Sequence, residues 1–336
     1  MSAAPPQTAA PAAPDATARE RTAGAPLLMQ PPAGAGGKEA GWPRPTAPVL
    51  VAGGLVALAF VSLFHRWLYV QHFQCVHAPA DWGHAYFVPL ISAYIAWQHR
   101  DALLRARPMV FWPGLAPLVL GITAYAFFAV GFTNHMAQGW SMILALYGVL
   151  LLLLGPAVMR YLTLPVAYLV FGVTISERIM QDVTSHLQLI ASHGSYVLLS
   201  LMGITTDISG VTLTVFDSKG TPLPLNVAEA CSGMRQLIAF MALGAAVALV
   251  ACPYWWQRVS LIMLAPPVAI LINIVRVAAL GVLSLLDPNW ASGEAHTFVG
   301  TLLLVPAFLV YMGLVWALKR IVREPAPAAA PAGAGA

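Results

Sequence analysis

Apolar runs of membrane-spanning length recur along this chain, near residues 48–64, 84–97, 110–131, 138–158, 161–176, 233–251, 259–285 and 297–318, with scarcely a charge inside them. A run of that kind satisfies its backbone polar groups in lipid only as a helix, so the reading is an all-α polytopic membrane protein of about eight transmembrane helices. Some of the runs are short enough to need snorkelling ends. A chain that is 59% hydrophobic and 9% charged has too few polar groups to cover a water-soluble globule. Residues 1–47 are rich in proline, alanine and glycine and read as a disordered cytoplasmic tail, and residues 324–336 as a second Ala/Pro tail. The folded part is then a single transmembrane domain over residues 48–323.

The basic residues orient it. With the N-terminus inside, the cytoplasmic segments collect Arg19, Arg21, Lys38, Arg44, Arg100, Arg105, Arg107, Arg160, Arg258, Lys319, Arg320 and Arg323, while the outer segments hold Arg66, Arg178 and Lys219. Setting aside the four in the long tail leaves the same bias, and both termini fall inside. The net charge of +4 is accounted for by these loops and carries no argument for nucleic acid.

Parity then keeps residues 177–204 outside. Glu177, Arg178, Gln181, Asp182, His186 and His193 alternate there with apolar positions at helical spacing, which predicts an interfacial or re-entrant helix. Val211, Leu213 and Val215, the turn Asp217-Ser218-Lys219-Gly220, then Leu223 and Leu225 predict a small extracytoplasmic β-hairpin that leads to Cys231.

Cys231 would stand at the outer entrance of the sixth helix, where unpaired backbone N–H groups and the positive helix end favour a thiolate. Arg235, four residues on, adds a cation on the same face. Glu229 either opposes the thiolate or pairs with Arg235. Arg276, eleven residues before Asp287, would lie roughly 16 Å below the outer boundary at about 1.5 Å per residue. Asn273 shares its face, and an arginine at such depth faces protein or a water-filled cavity. His296 follows the outer loop 287–295. A nucleophile, a fixed cation and a titratable base near one membrane face can carry acyl transfer. Pro266-Pro267 predicts a bend below Arg276 that aims it.

Three segments together, Val227-Ala228-Glu229-Ala230-Cys231-Ser232-Gly233-Met234-Arg235, Asn273-Ile274-Val275-Arg276 and Ala295-His296-Thr297-Phe298-Val299-Gly300, resemble the exosortase/archaeosortase family of multipass membrane transpeptidases. Residues 84–97, from His84 through Pro89 and Ser92 to a basic loop, are similar to the family's N-terminal pattern, with Ala85 where a glycine is expected. The resemblance covers most of residues 50–320. It implies Cys231 as catalytic nucleophile, Arg276 as catalytic arginine and His296 as third catalytic member, with His84 at a recurrent position of unassigned role; Arg235, Asn273 and Glu229 are supporting residues. It also implies exported substrate proteins that end in a Pro-Glu-Pro-like motif, a transmembrane helix and a basic tail. The acceptor would be an envelope polysaccharide or lipid-linked group, and the location the bacterial cytoplasmic membrane with the active site at the periplasmic face. No cofactor and no nucleic acid is called for, and membrane lipid is the surrounding partner.

Other readings of the same residues stand beside this one. Eight histidines (His65, His72, His77, His84, His135, His186, His193 and His296) fall on the outer half, which suits a metal enzyme. There is however no H-E-x-x-H, and His72, His77 and His84 do not share one helix face. His65, His72 and His77 read as solvated or interfacial, and His135, His186 and His193 as polar contacts under outer loops. Three cysteines without C-x-x-C support neither a disulfide framework nor a zinc ribbon. Cys75, placed in the first outer loop, could pair with Cys231. A carrier or scaffold for envelope polysaccharide or protein would use Arg276 to bind an anion and leave Cys231 incidental.

Overall fold

The structure is a computed structural model and describes residues 46–217, 219–226, 233–252, 254–287, 302 and 304–321. Helix α1 (Ala47–His77) runs past the expected end of the first crossing, because nothing breaks it before Pro79 and Phe64, Trp67, Gln71 and Cys75 bury at three- and four-residue spacing. At about 1.5 Å per residue it is about 46 Å long, longer than a hydrocarbon core of about 30 Å. Cys75 therefore sits on the last turns of a helix, buried and with a free thiol, where a loop cysteine was expected.

A short α2 (Pro79–Trp82) and a 3-10 turn over Gly83–Tyr86 lead into α3 (Phe87–Gln98) and α4 (Arg100–Arg105). Then come α5 (Leu115–Ala126) and α6 (His135–Tyr168). These two helices meet backbone to backbone. A Cβ on Gly114, Gly121 or Gly148 would collide with main-chain atoms of Leu152, Ala145 and Leu118 respectively, so small residues set the separation.

The expected crossings 138–158 and 161–176 share one helical stretch that is broken at Gly155 (φ 73, ψ 173), just before Pro156. A straight helix would hold residues 139 and 173 about 50 Å apart. Instead Val173 Cγ1 lies 2.7 Å from the Cβ position of Gly139, so the chain turns at Gly155 and returns. The turn leaves carbonyls without helical partners, and the extended segment before α5 supplies donors: Met109 N–H to Leu154 (3.3 Å) and Phe111 N–H to Leu152 (2.9 Å). The returning arm packs antiparallel to α3, with Val88 against Gly172 and Ser92 Oγ donating to the Pro165 carbonyl at 2.7 Å.

Helix α7 (Glu177–Leu201) is amphipathic and buries Leu187, Ala191, Ser195 and Leu199. The expected hairpin is a three-stranded antiparallel sheet, β1 (Thr206–Ser209), β2 (Thr212–Phe216) and β3 (Pro222–Asn226), in the order β1-β2-β3. Its extra strand is joined by Gly210-Val211; positive φ at Gly210 alone is the pattern of a type II′ turn. Helices α8 (Met234–Ala251), α9 (Trp255–Leu286) and α10 (Leu304–Ile321) complete the described chain. The helical assignment of α9 is continuous through Pro266-Pro267. It packs on α8 and α10 around Leu261, Ala265, Tyr311 and Val315, with Tyr311 O–H donating to the Leu261 carbonyl.

Four stretches among the described residues are long and apolar enough to cross a membrane: Ala47–His77, Trp112–Gly131, His135–Gly172 and Trp255–Leu286. Eight were expected. The difference comes from the merged arms of α6, from the shortness of α3 and of the apolar part of α8, Leu237–Ala251, and from residues 297–301 and 303 lying outside the described residues.

The basic connections converge at one end. The His99 ring is 6.0 Å from Tyr161, Arg258 bears on the charge of His99, and Lys319 and Arg258 both bear on Cys252. Arg100, Arg160 and Arg320 each lie over an adjacent aromatic ring, Trp97, Tyr161 and Trp316. Residues 77, 78 and 82, 133–135 and 174–177 gather elsewhere, around one cavity.

The α5–α6 contact gives a test. Gly148→Val should destabilise the detergent-solubilised protein by roughly 1–3 kcal/mol, as overpacking does. Gly53→Ala, where a Cβ meets nothing within 4 Å among the described residues, should leave the thermal midpoint unchanged or higher.

Candidate functional site

Helix α9 carries the arginine motif, and its C-terminal half is wrapped. Gly194 of α7 receives the Ile274 side chain, Ser195 Oγ donates to the Ile274 carbonyl at 2.9 Å, and Leu199 Cδ1 lies 3.0 Å from the Cβ position of Gly281. Residue numbers rise together along the two helices, so α7 runs parallel to α9 and is not laid flat across its end. Leu213 and Val215, both fully buried, pack with Val277, Ala278 and Leu280.

This changes the setting of Arg276. The sheet and α7 together enclose these turns of α9 in protein, where the sequence alone left them to face lipid. The eleven residues between Arg276 and Asp287 thus measure height within a protein cap. Arg276 is half-buried at the base of that cap, with its Nε shut off from solvent. Asn273, one turn earlier, is 3% exposed.

Gly233 is the residue on which the cysteine segment meets this helix. It precedes α8 with φ 78 and ψ 2, and a Cβ there would lie 2.7 Å from Asn273 Cγ. Only glycine takes that conformation freely, and only a residue without a side chain lets the backbone come so near the carboxamide. Leu187, Ala191, Leu237, Ala269 and Ile270 close around the contact. Met234, the first residue of α8, is buried with Cys75, Trp82, Ala85, Leu187 and Ile238.

Of the residues expected to act, Arg276 and Asn273 are described and share this junction. Cys231, Glu229 and His296 lie outside the described residues. Arg235 belongs to the first turn of α8, but its side chain is outside the description. His84 occupies the 3-10 turn ahead of α3, outside the long apolar helices. Its Nε2 is buried with no hydrogen-bond partner among the described residues.

The other histidines separate by environment. His135 stacks on Trp67 at 5.1 Å and bonds Gln71 Oε1 at 3.0 Å. His186 and His193 do not sit under loops: they are exposed on α7, each Nδ1 bonded to the carbonyl four residues back. Among the described residues no group of three or more His, Cys, Asp or Glu is placed to hold a metal ion. Ser195 and Gly194 went unnoticed in the sequence; their signal was a Gly-Ser pair on the apolar face of an amphipathic helix.

The family model described as Transmembrane exosortase (Exosortase_EpsH) matches residues 74–317. The chain belongs to the transmembrane exosortase family. No curated protein and no solved structure matches it. In this exosortase the matched region takes in the last turn of α1, the α7–sheet cap and both partners of the Gly233–Asn273 contact. Membership in the family implies the processing of sorting signals on exported proteins.

Gly233→Ala should cut sorting-signal processing by about tenfold or more while the protein still reaches the membrane, since an L-residue at positive φ costs roughly 1–2 kcal/mol before the collision with Asn273 is counted. Quantifying processed product against membrane-localised enzyme checks this. Adding Asn273→Ala should not restore activity, because it removes the collision and leaves the backbone strain.

Proposed function

We propose that this exosortase is a membrane cysteine transpeptidase that cleaves C-terminal sorting signals of the Pro-Glu-Pro type and passes the protein to an envelope acceptor. The observation that supports the reading is the Gly233–Asn273 contact, in which a glycine of the cysteine motif meets the helix turn that ends in Arg276. Cys231 stands two positions before Gly233 along the chain, and Arg276 three positions after Asn273.

In this reading the Cys231 thiolate attacks the carbonyl carbon at the sorting motif, and the carbonyl π electrons move to oxygen. Arg276 stabilises the oxyanion, with Arg235 in support. The C–N bond then breaks, His296 gives its proton to the leaving amine, and a thioester remains on Cys231. His296, now neutral, takes the proton of the acceptor nucleophile as that nucleophile attacks, and the C–S bond breaks to return the thiolate. Water in place of the acceptor gives simple proteolysis. Asn273 positions the cysteine segment, Glu229 orients Arg235, and His84 supports the wall beside α8.

The topology belongs to the same reading: eight crossings, with the two arms of α6 counted separately, and both termini in the cytoplasm of a bacterium. The convergence of His99, Arg160, Arg258 and Lys319 at one end supports it under the positive-inside rule. The reaction centre then faces the periplasm.

The test is trapping. Co-expression with a tagged protein ending in a Pro-Glu-Pro signal should give a hydroxylamine-sensitive adduct that Cys231→Ala abolishes. Arg276→Gln should lower the rate of adduct formation by about 10²–10³, the loss seen when an oxyanion donor is removed. Processing that survives Cys231→Ala would overturn the thiol mechanism.

A further inference from the structure

A second cavity lies apart from the Gly233–Asn273 junction. It holds about 550 Å³ between the end of α1, the start of α6 and the start of α7, within the size range of small-molecule sites. We propose that this cavity is a sugar-binding site and that it holds the glycan acceptor that resolves the Cys231 thioester; the acceptor role rests on the function proposed above, whereas the sugar-binding role does not.

Aromatic rings form one side. Phe73 and His77 stack with centroids 3.7 Å apart, and Trp82 on the connector joins them in the lining, a set of aromatic rings suited to the C–H face of a pyranose. Uncharged hydrogen-bonding groups form the other. Asn134 uses its oxygen to cap α6 through Ala137 N–H at 3.0 Å, so its NH₂ is left to donate. The Ser176 hydroxyl caps nothing although the residue stands at the N-cap of α7. His77 donates from Nδ1 to the Phe73 carbonyl at 2.9 Å, which makes Nε2 an acceptor.

Charge narrows the ligand further. Glu177 is the one carboxylate in the lining, and among the described lining residues there is no lysine or arginine. A phosphate or carboxylate ligand would meet Glu177 with no lysine or arginine to balance it, whereas vicinal hydroxyls would find donors, acceptors and a carboxylate with capacity beyond its bond from Gln181. The floor is fixed from below. Gln71 Oε1 accepts from His135 Nε2 and lies 3.2 Å from Thr174 Oγ1, and Gln71 Nε2 donates to the Gly172 carbonyl at 3.0 Å.

The cavity shares a wall with the start of α8, the helix that follows the cysteine motif. Trp82, Ile175 and Met180 line it and also pack in the cluster that buries Met234 and Ile238 of α8. A sugar hydroxyl delivered from here would bond its oxygen to the acyl carbon while the C–S bond breaks. Its proton would pass to His296 and the product would be an ester.

Wild-type protein in nanodiscs, titrated with cellobiose and chitobiose by calorimetry, should show saturable binding of at least one. Phe73→Ala and Glu177→Gln should each weaken it by about tenfold with an unchanged thermal midpoint. Absence of saturable binding to both sugars, equal affinity in both variants, or binding of inorganic phosphate or ethanolamine in their place would overturn the sugar site. For the acceptor role, both variants should form the Cys231 adduct at the wild-type rate and resolve it about tenfold more slowly. Unchanged resolution would overturn that role, while failure of every variant and of wild type to form an adduct would count against the thioester and leave the calorimetry to decide the site.

Discussion

Helix α9 is too long for the bilayer, and much of the outer architecture answers that constraint. Its 32 residues span about 48 Å, against about 30 Å of hydrocarbon. Apolar residues continue into the outer turns as Val277, Leu280 and Leu283, which lipid does not cover if the helix stands upright. The α7 helix and the sheet bury them instead. Small residues make the fit possible: Gly194 and Ser195 on α7 meet Ile274, and Gly281 on α9 accepts Leu199 and Val215. The arginine thereby sits where a membrane helix becomes the core of an extramembrane cap, and a cation can be enclosed there without being sunk in lipid.

Much of this was legible from the chain. Long uncharged runs announced helices, because lipid leaves the backbone no other choice. The alternation Leu213, Val215 announced strands, and the family motifs pointed to Asn273 and Arg276. Three features were not legible, each for a physical reason. The turn at Gly155 is carried by one positive φ and by amides arriving from Met109 and Phe111, which are long-range bonds without a local signature. The cover over the turns beyond Arg276 was missed because counting residues from Asp287 says nothing of what packs against Val277, Ala278 and Leu280. Strand β1 was missed because Thr206–Ser209 is short and has little apolar alternation.

Polar residues inside the N-terminal half show the same limit. Gln71, Gln74 and Thr174 look unremarkable in sequence, yet they join in one network with His135 beneath the aromatic cavity. Only the return of the chain from Gly155 brings Thr174 to Gln71. The N-terminal helices therefore do more than anchor the protein: they build a polar chamber against the wall from which α8 begins.

The sheet has one further property. The Phe216 amide bonds to Thr205, so the even residues of β2 face β1 and the odd ones face β3. Leu223 and Leu225 then turn inward, and Pro222 and Pro224 stand on the open edge, where neither can donate a hydrogen bond. An extended peptide pairing along that edge would find the carbonyls of Pro222 and Pro224 without matching amides, which weakens the edge as a place for a fourth strand and leaves side chains to tell one extended segment from another.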